Sequence, residues 1–171
     1  MSEQLHHGNQ IFTKKQFPIT LICDQVNSPA NIGSLFRIAD SFGIEQIYFC
    51  GNDIKVTSKR MQRTARSTHE IVPYHKAEKT ITIVKNLKAK GYTIIALEIT
   101  GSSIPVSLID AKLSKKIAIV LGEENFGVSE DVLNLADQSI HINMYGNNSS
   151  MNVATATGIA LYEITKQMLT P

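Results

Sequence analysis

Six short apolar runs, most of them rich in β-branched residues, constrain the fold of this chain more than any other feature: PITLICD, EQIYFCG, EIVPY, YTIIALE, KIAIVLG and SIHIN. Runs of this length bounded by turn residues are strands, and apolarity that is continuous rather than alternating marks strands covered on both faces. Segments with helical spacing separate them. The first run ends near Asp24 and Pro29 is expected in a turn; Ile32, Leu35, Phe36 and Ala39 then share one helical face, up to a stop at Gly43. Ile81, Val84 and Leu87 mark a second amphipathic helix over residues 77–90, closed by Gly91. A short helix is expected over 129–136, and a long apolar-faced one over about 151–168. The basic stretch before EIVPY reads as partly helical. Strands and helices alternate throughout, so the expected fold class is α/β, a mostly parallel sheet with helices on both faces. Ligands of such sheets bind beyond the carboxyl ends of the strands. The informative loops therefore follow Asp24, Glu98, Leu121 and Asn143.

A length of 171 residues suits one domain. Residues 1–16 are polar with little periodicity and read as an N-terminal arm, with 17–171 as the single domain. The formal charge of +2 is low for a protein that coats a long duplex. It is unevenly spread, however. Residues 55–66 (KVTSKRMQRTAR) hold five positive side chains and no acid. Lys59, Arg60, Arg63 and Arg66 are the candidate contacts to a polyanion, although a charge run is also compatible with a merely solvated face. Cys23 and Cys50 lie inside strand runs with no CxxC or zinc spacing, and are expected to be buried thiols in a reducing compartment. His6, His7, His69, His75 and His141 show no ligand spacing, so no metal is expected. The N-terminus lacks the apolar core of a signal peptide, and no apolar run reaches the roughly 18 residues that span a membrane. A cytoplasmic location without membrane contact is the expectation.

Three segments carry chemistry. In NSPANIGSLFRIADSFG, Asn31 stands near a helix start, where its side chain can cap free N–H groups. Gly33 leaves room for a ligand or another backbone, and Arg37 lies on an otherwise apolar helix. In IVLGEENFGVSEDVL, a buried strand runs into two glycines around the paired acids Glu123 and Glu124. Adjacent loop residues point in different directions, and no second acid cluster completes a divalent ion site. The loop also lacks the GxxxxGK[ST] of a phosphate-binding loop. In HINMYGNNSSMNVATATGIALYEI, a polar loop precedes a helix built on small residues, and the loop holds more hydrogen-bonding side chains than a turn needs.

Taken together and in order, these segments resemble the SpoU/TrmH branch of the SPOUT RNA methyltransferases. Its N-x-G-x-x-x-R pattern is met by Asn31, Gly33 and Arg37. L-G-x-E-x-x-G is met by Leu121, Gly122, Glu124 and Gly127, and S-x-N-V by Ser150, Asn152 and Val153. The likeness runs from about Pro18 to Lys166. It departs at Ala154, where the family often has Ser, and at ARSTHE, where an Ala-Gly step is common.

The resemblance implies a deep C-terminal trefoil knot, a homodimer through the final helix, and S-adenosylmethionine as cofactor. It implies methyl transfer to a ribose 2′-hydroxyl of RNA; with no separate N-terminal RNA-binding domain expected, tRNA is favoured over rRNA as the substrate. The cofactor would be held by Ile99, Thr100 and Gly101, by Leu121, Gly122 and Glu123, and by Ile142, Met144, Ser150 and Met151. The catalytic set would be Arg37, Asn31, Glu124, Ser150 and Asn152, with Asn31 and Glu124 orienting Arg37. An arginine keeps its proton over the accessible pH range, which favours Arg37 as a clamp on phosphate and developing alkoxide charge over a literal base. Two rivals share the fold: a base methyltransferase, and an RNA-binding protein without turnover. A Rossmann-like dinucleotide enzyme lacks its glycine fingerprint here.

Overall fold

The computed structural model describes residues 12–169. The elements are β1 (Phe17–Asp24), α1 (Pro29–Ser41), β2 (Ile44–Cys50), α2 (Lys59–Ala65), β3 (Tyr74–Ala77), α3 (Thr80–Ala89), β4 (Thr93–Leu97), β5 (Ile104–Pro105), β6 (Ile117–Leu121), α4 (Glu130–Leu133), β7 (Gln138–His141) and α5 (Val153–Leu169). The strands form one sheet in the order β3-β2-β1-β6-β4-β7-β5, and every pairing is parallel.

The two faces follow from the period of two along each strand. On β1, Phe17, Ile19, Leu21 and Cys23 enter one core while Ile22 enters the other. On β6, Ile117, Ile119 and Leu121 oppose Ala118 and Val120 in the same way. Helices α1, α2 and α5 cover the first face through Phe36, Met61, Leu161 and Ile164. Helix α3 covers the second with Val84 and Leu87, and α4 with Val132. Cys23 and Cys50 thus sit in different cores, buried and free. Burial pushes the Cys50 thiol up to about 12 and raises Cys23 as well.

Some boundaries differ from the sequence expectation. EIVPY was expected as a strand over 70–74, but β3 begins at its last residue. Thr68–Glu70 form a 3-10 turn, and Pro73, with no N–H of its own, offers only its carbonyl, which accepts from Ile47 N–H at 3.0 Å. Pro29 is not in a turn but opens α1, where a missing N–H costs nothing. The edge strand β5 has two residues, too few to show a period. Residues 12–16 are exposed without regular structure, and the rest of the expected arm, with His6 and His7, lies outside the described residues. No helix among the described residues is long and apolar enough to cross a membrane.

Candidate active site

Strands β6, β4 and β7 are neighbours, so the loops leaving their carboxyl ends meet. They enclose a cavity of about 630 Å³, an ordinary size for a small-molecule pocket.

The loop after β6 is closed by its own hydrogen bonds. Gly127 adopts φ +68°, a region that favours glycine, and its N–H donates to Glu123 O at 3.0 Å. The Glu123 carboxylate turns back on the loop and accepts from Asn125 N–H at 3.2 Å and Phe126 N–H at 2.8 Å. A side chain on Gly122 would strike the Gly127–Val128 backbone. Glu98, just beyond β4, fastens this loop to its own: its carboxylate accepts from Val128 N–H at 3.0 Å and Ile99 N–H at 2.9 Å.

The adjacent Glu124 does something else. Its carboxylate accepts from the Asn31 amide on α1. The Asn31 carbonyl accepts in turn from the Asn152 amide at 2.8 Å, while Asn152 Oδ1 caps α5 by accepting from Ala154 N–H at 3.0 Å and Thr155 N–H at 3.3 Å. One chain of hydrogen bonds therefore joins the three sequence motifs, across separations of 93 and 121 residues. Two expectations change. Asn31 is buried and serves this network rather than capping α1. Glu124 bonds Asn31 and not Arg37; among the described residues no ion pair involves Arg37.

Of the expected cofactor residues, Ile99, Gly122, Glu123, Ile142, Met144, Ser150 and Met151 line the cavity. Thr100, Gly101 and Leu121 do not. Leu121 points into the core, Thr100 is tied to Ser103, and Gly101 is exposed. Arg37 lies outside the cavity, in an adjoining groove of about 620 Å³ between α1 and α5. Among the described residues, Asn152 is the one that lines both. Lys59, Arg60 and Arg63 are exposed on α2, and Arg66 on its left-handed C-cap. Arg66 and Ser67 have φ +48° and +66°, so the segment where an Ala-Gly step was expected keeps a backbone that glycine would hold more cheaply. Gly33 settles its alternative: what comes close is the backbone of α2, not a ligand.

Sequence reasoning missed Glu98, Phe126, His141 and Asn148, all of which line the cavity. The acid closing the run YTIIALE was a legible signal for Glu98. Nothing local marked His141, whose Nδ1 lies 2.9 Å from Ser103 Oγ. Among the described residues, no three His, Cys, Asp or Glu side chains are grouped to hold a metal.

This sheet, with a cavity at its carboxyl edge walled by two of the motifs and tied through Asn31 to the third, defines an RNA methylase: the chain belongs to the SpoU rRNA methylase family, whose model matches residues 18–162. It is similar to the tRNA (guanosine(18)-2′-O)-methyltransferase of Aquifex aeolicus, at 28% identity over 98% of this chain and 78% of that protein. It is also similar to the 23S rRNA (guanosine-2′-O-)-methyltransferase of Shewanella oneidensis, at 29% identity over 95% of this chain and 65% of that one. The structure matches the AdoMet-bound rRNA methyltransferase of Sinorhizobium meliloti with a TM-score of 0.83 and 26% identity, covering 91% of this chain and 59% of the other.

Proposed function

We propose that the protein transfers a methyl group from S-adenosylmethionine to a ribose 2′-hydroxyl of a structured RNA. The carrying observation is the Glu124–Asn31–Asn152 network, in which Asn31 links the family's two cavity-lining motifs to its first. The cavity chemistry fits the cofactor. Leu97, Ile142 and Met151 offer apolar walls for a purine, and Glu98, Glu123 and Glu124 bring carboxylates that favour a cationic ligand. When bound, S-adenosylmethionine supplies a methyl group on a positively charged sulfur.

The protein's own residues then have to place a weak nucleophile and stabilise the charge it develops. Asn152 stands where the cavity and the groove meet, so a ribose held there faces both the cofactor and Arg37. The Arg37 guanidinium clamps a neighbouring phosphate and stabilises alkoxide character on the 2′-oxygen, whose proton passes to solvent. Glu124 and Asn31 hold Asn152, and Ser150 at the rim donates to the RNA. Lys59, Arg60, Arg63 and Arg66 contact the phosphate backbone.

Three finer elements belong to the same proposal. A second copy packs on α5, where Ile159 and Tyr162 are exposed, and leaves the Arg37 end of the groove open to the RNA. The segment after β7 is threaded as a trefoil knot; its helix α5 packs back on the turns that follow β5, with Ala111 N–H donating to Gln167 at 3.1 Å. The substrate is tRNA rather than rRNA, the class that the name of the Aquifex relative gives. The single domain is cytoplasmic, in keeping with its free thiols. In the test, Arg37→Ala binds S-adenosylmethionine by calorimetry but loses tritium transfer to unmodified tRNA; full transfer by this variant would remove the central claim. Nucleoside analysis of the product separates ribose from base methylation.

A further inference from the structure

Phe126 is an apolar ring that the fold holds in water. It is 90% exposed, yet it lines the mouth of the cavity. The backbone that carries it is fastened on both sides. Its N–H is bonded to Glu123, the next residue is bridged back to Glu123, and Val128 is fastened to Glu98. Two residues before Phe126, Glu124 is bound to Asn31. A second ring, Tyr145, is 93% exposed on the loop that supplies Met144 and Ser150 to the same cavity.

We propose that Phe126 is the platform on which the base of the methylated nucleotide stacks, which makes it a substrate-positioning residue. The inference rests on the proposed reaction. The cofactor does not account for the ring, because the cavity has apolar walls of its own in Leu97, Ile142 and Met151. A ring so exposed keeps its outer face open when the cavity is filled. Whatever covers that face arrives from solvent and reaches the Glu124–Asn31–Asn152 network, as the RNA must. A nucleotide whose ribose enters at Asn152 brings its base with it, unstacked from its neighbours. Aromatic side chains are the usual replacement for lost stacking, and they tolerate any base.

The test uses the full chain with in vitro-transcribed tRNA. Phe126→Ala raises KM for RNA by about 5- to 100-fold, the range that loss of one stacked base gives. Its affinity for S-adenosylmethionine and its Tm stay at the wild-type values. Phe126→Tyr and Phe126→Trp restore KM, whereas Phe126→Leu, apolar but without a π face, does not. The chain contains no tryptophan, so Phe126→Trp is also a single reporter, quenched by tRNA and not by S-adenosylmethionine alone. An unchanged RNA KM in Phe126→Ala while the wild type methylates RNA overturns the inference and leaves the proposed function standing. Weaker cofactor binding, rescue by Leu, or a changed oligomeric state in Phe126→Ala overturns it too, by assigning the ring to another occupant. A wild type that transfers no methyl group to RNA takes down the function and the inference together.

Discussion

Replacing Gly33 by Ala tests the packing that positions both the site helix and the basic helix. A Cβ at residue 33 would lie 2.6 Å from Met61 O, 2.7 Å from Thr64 Cβ and 3.0 Å from Ala65 N. Carbon contacts settle at about 3.5–4.0 Å, so α2 must retreat by roughly 1 Å. Two of the three neighbours are backbone atoms and cannot rotate away. That places the overpacking cost in the upper part of the usual ~1–3 kcal/mol. Against it, Ala improves the helix by ~1 kcal/mol. The net loss is then ~1–2 kcal/mol, which for a chain of this size lowers Tm by about 3–8 °C.

Calorimetry or a thermal melt measures this directly. The retreat also moves the helix that carries Lys59, Arg60 and Arg63, so the KM for RNA rises. Cofactor affinity holds, because the cavity is built from the loops after β4, β6 and β7. Helix propensity and packing predict opposite signs here. A variant with unchanged or higher Tm would refute the close approach of α1 and α2.

Asn31→Ala leaves the Glu124 carboxylate and the Asn152 amide without the partner they share; kcat falls by about 10- to 100-fold, as misplacement of a reacting group by an ångström does, while S-adenosylmethionine still binds by calorimetry. Wild-type kcat in that variant would dismiss the network as the positioning element. Cys23 and Cys50, buried and with thiols shifted upward by burial, the latter to about 12, do not react with a thiol reagent at pH 8 until urea unfolds the protein; rapid labelling of the native state would contradict their placement. For Asp137, partial burial favours the neutral acid, but the Lys88 ammonium at 2.6 Å and the Ile94 N–H at 2.8 Å outweigh it and hold the carboxyl below its ordinary value. A depressed folded-state value contributes stability above the unfolded value of about 3.9 and loses it as pH falls through the folded one. Asp137→Asn is therefore less stable than wild type at pH 7, and the gap in urea midpoints closes towards pH 2; a gap independent of pH would assign the loss to packing.

What the sequence made legible, and what it hid, divides along physical lines. Strands β1 and β6 were plain because both of their faces are buried, which leaves an uninterrupted apolar run. The strand β3 was displaced because Val72, buried in the core, and Pro73 imitate a strand whose ladder begins only at Tyr74. In the site, motif order revealed the family, but the partners within it were not to be had from spacing. Pairing Glu124 with Arg37 looked natural as chemistry. Asn31 and Arg37, however, are six residues apart on α1, about 120° around the helix and roughly 9 Å along it. One carboxylate cannot serve both. The buried Asn31 takes Glu124, and Arg37 is left on the groove side. The arginine and the cavity thus approach a common point from two sides, and among the described residues only Asn152 borders both. In the proposed reaction, a hydroxyl that meets the cofactor and the guanidinium at once has that junction as its place, so S-x-N-V is better understood as the seam between two openings than as the wall of one.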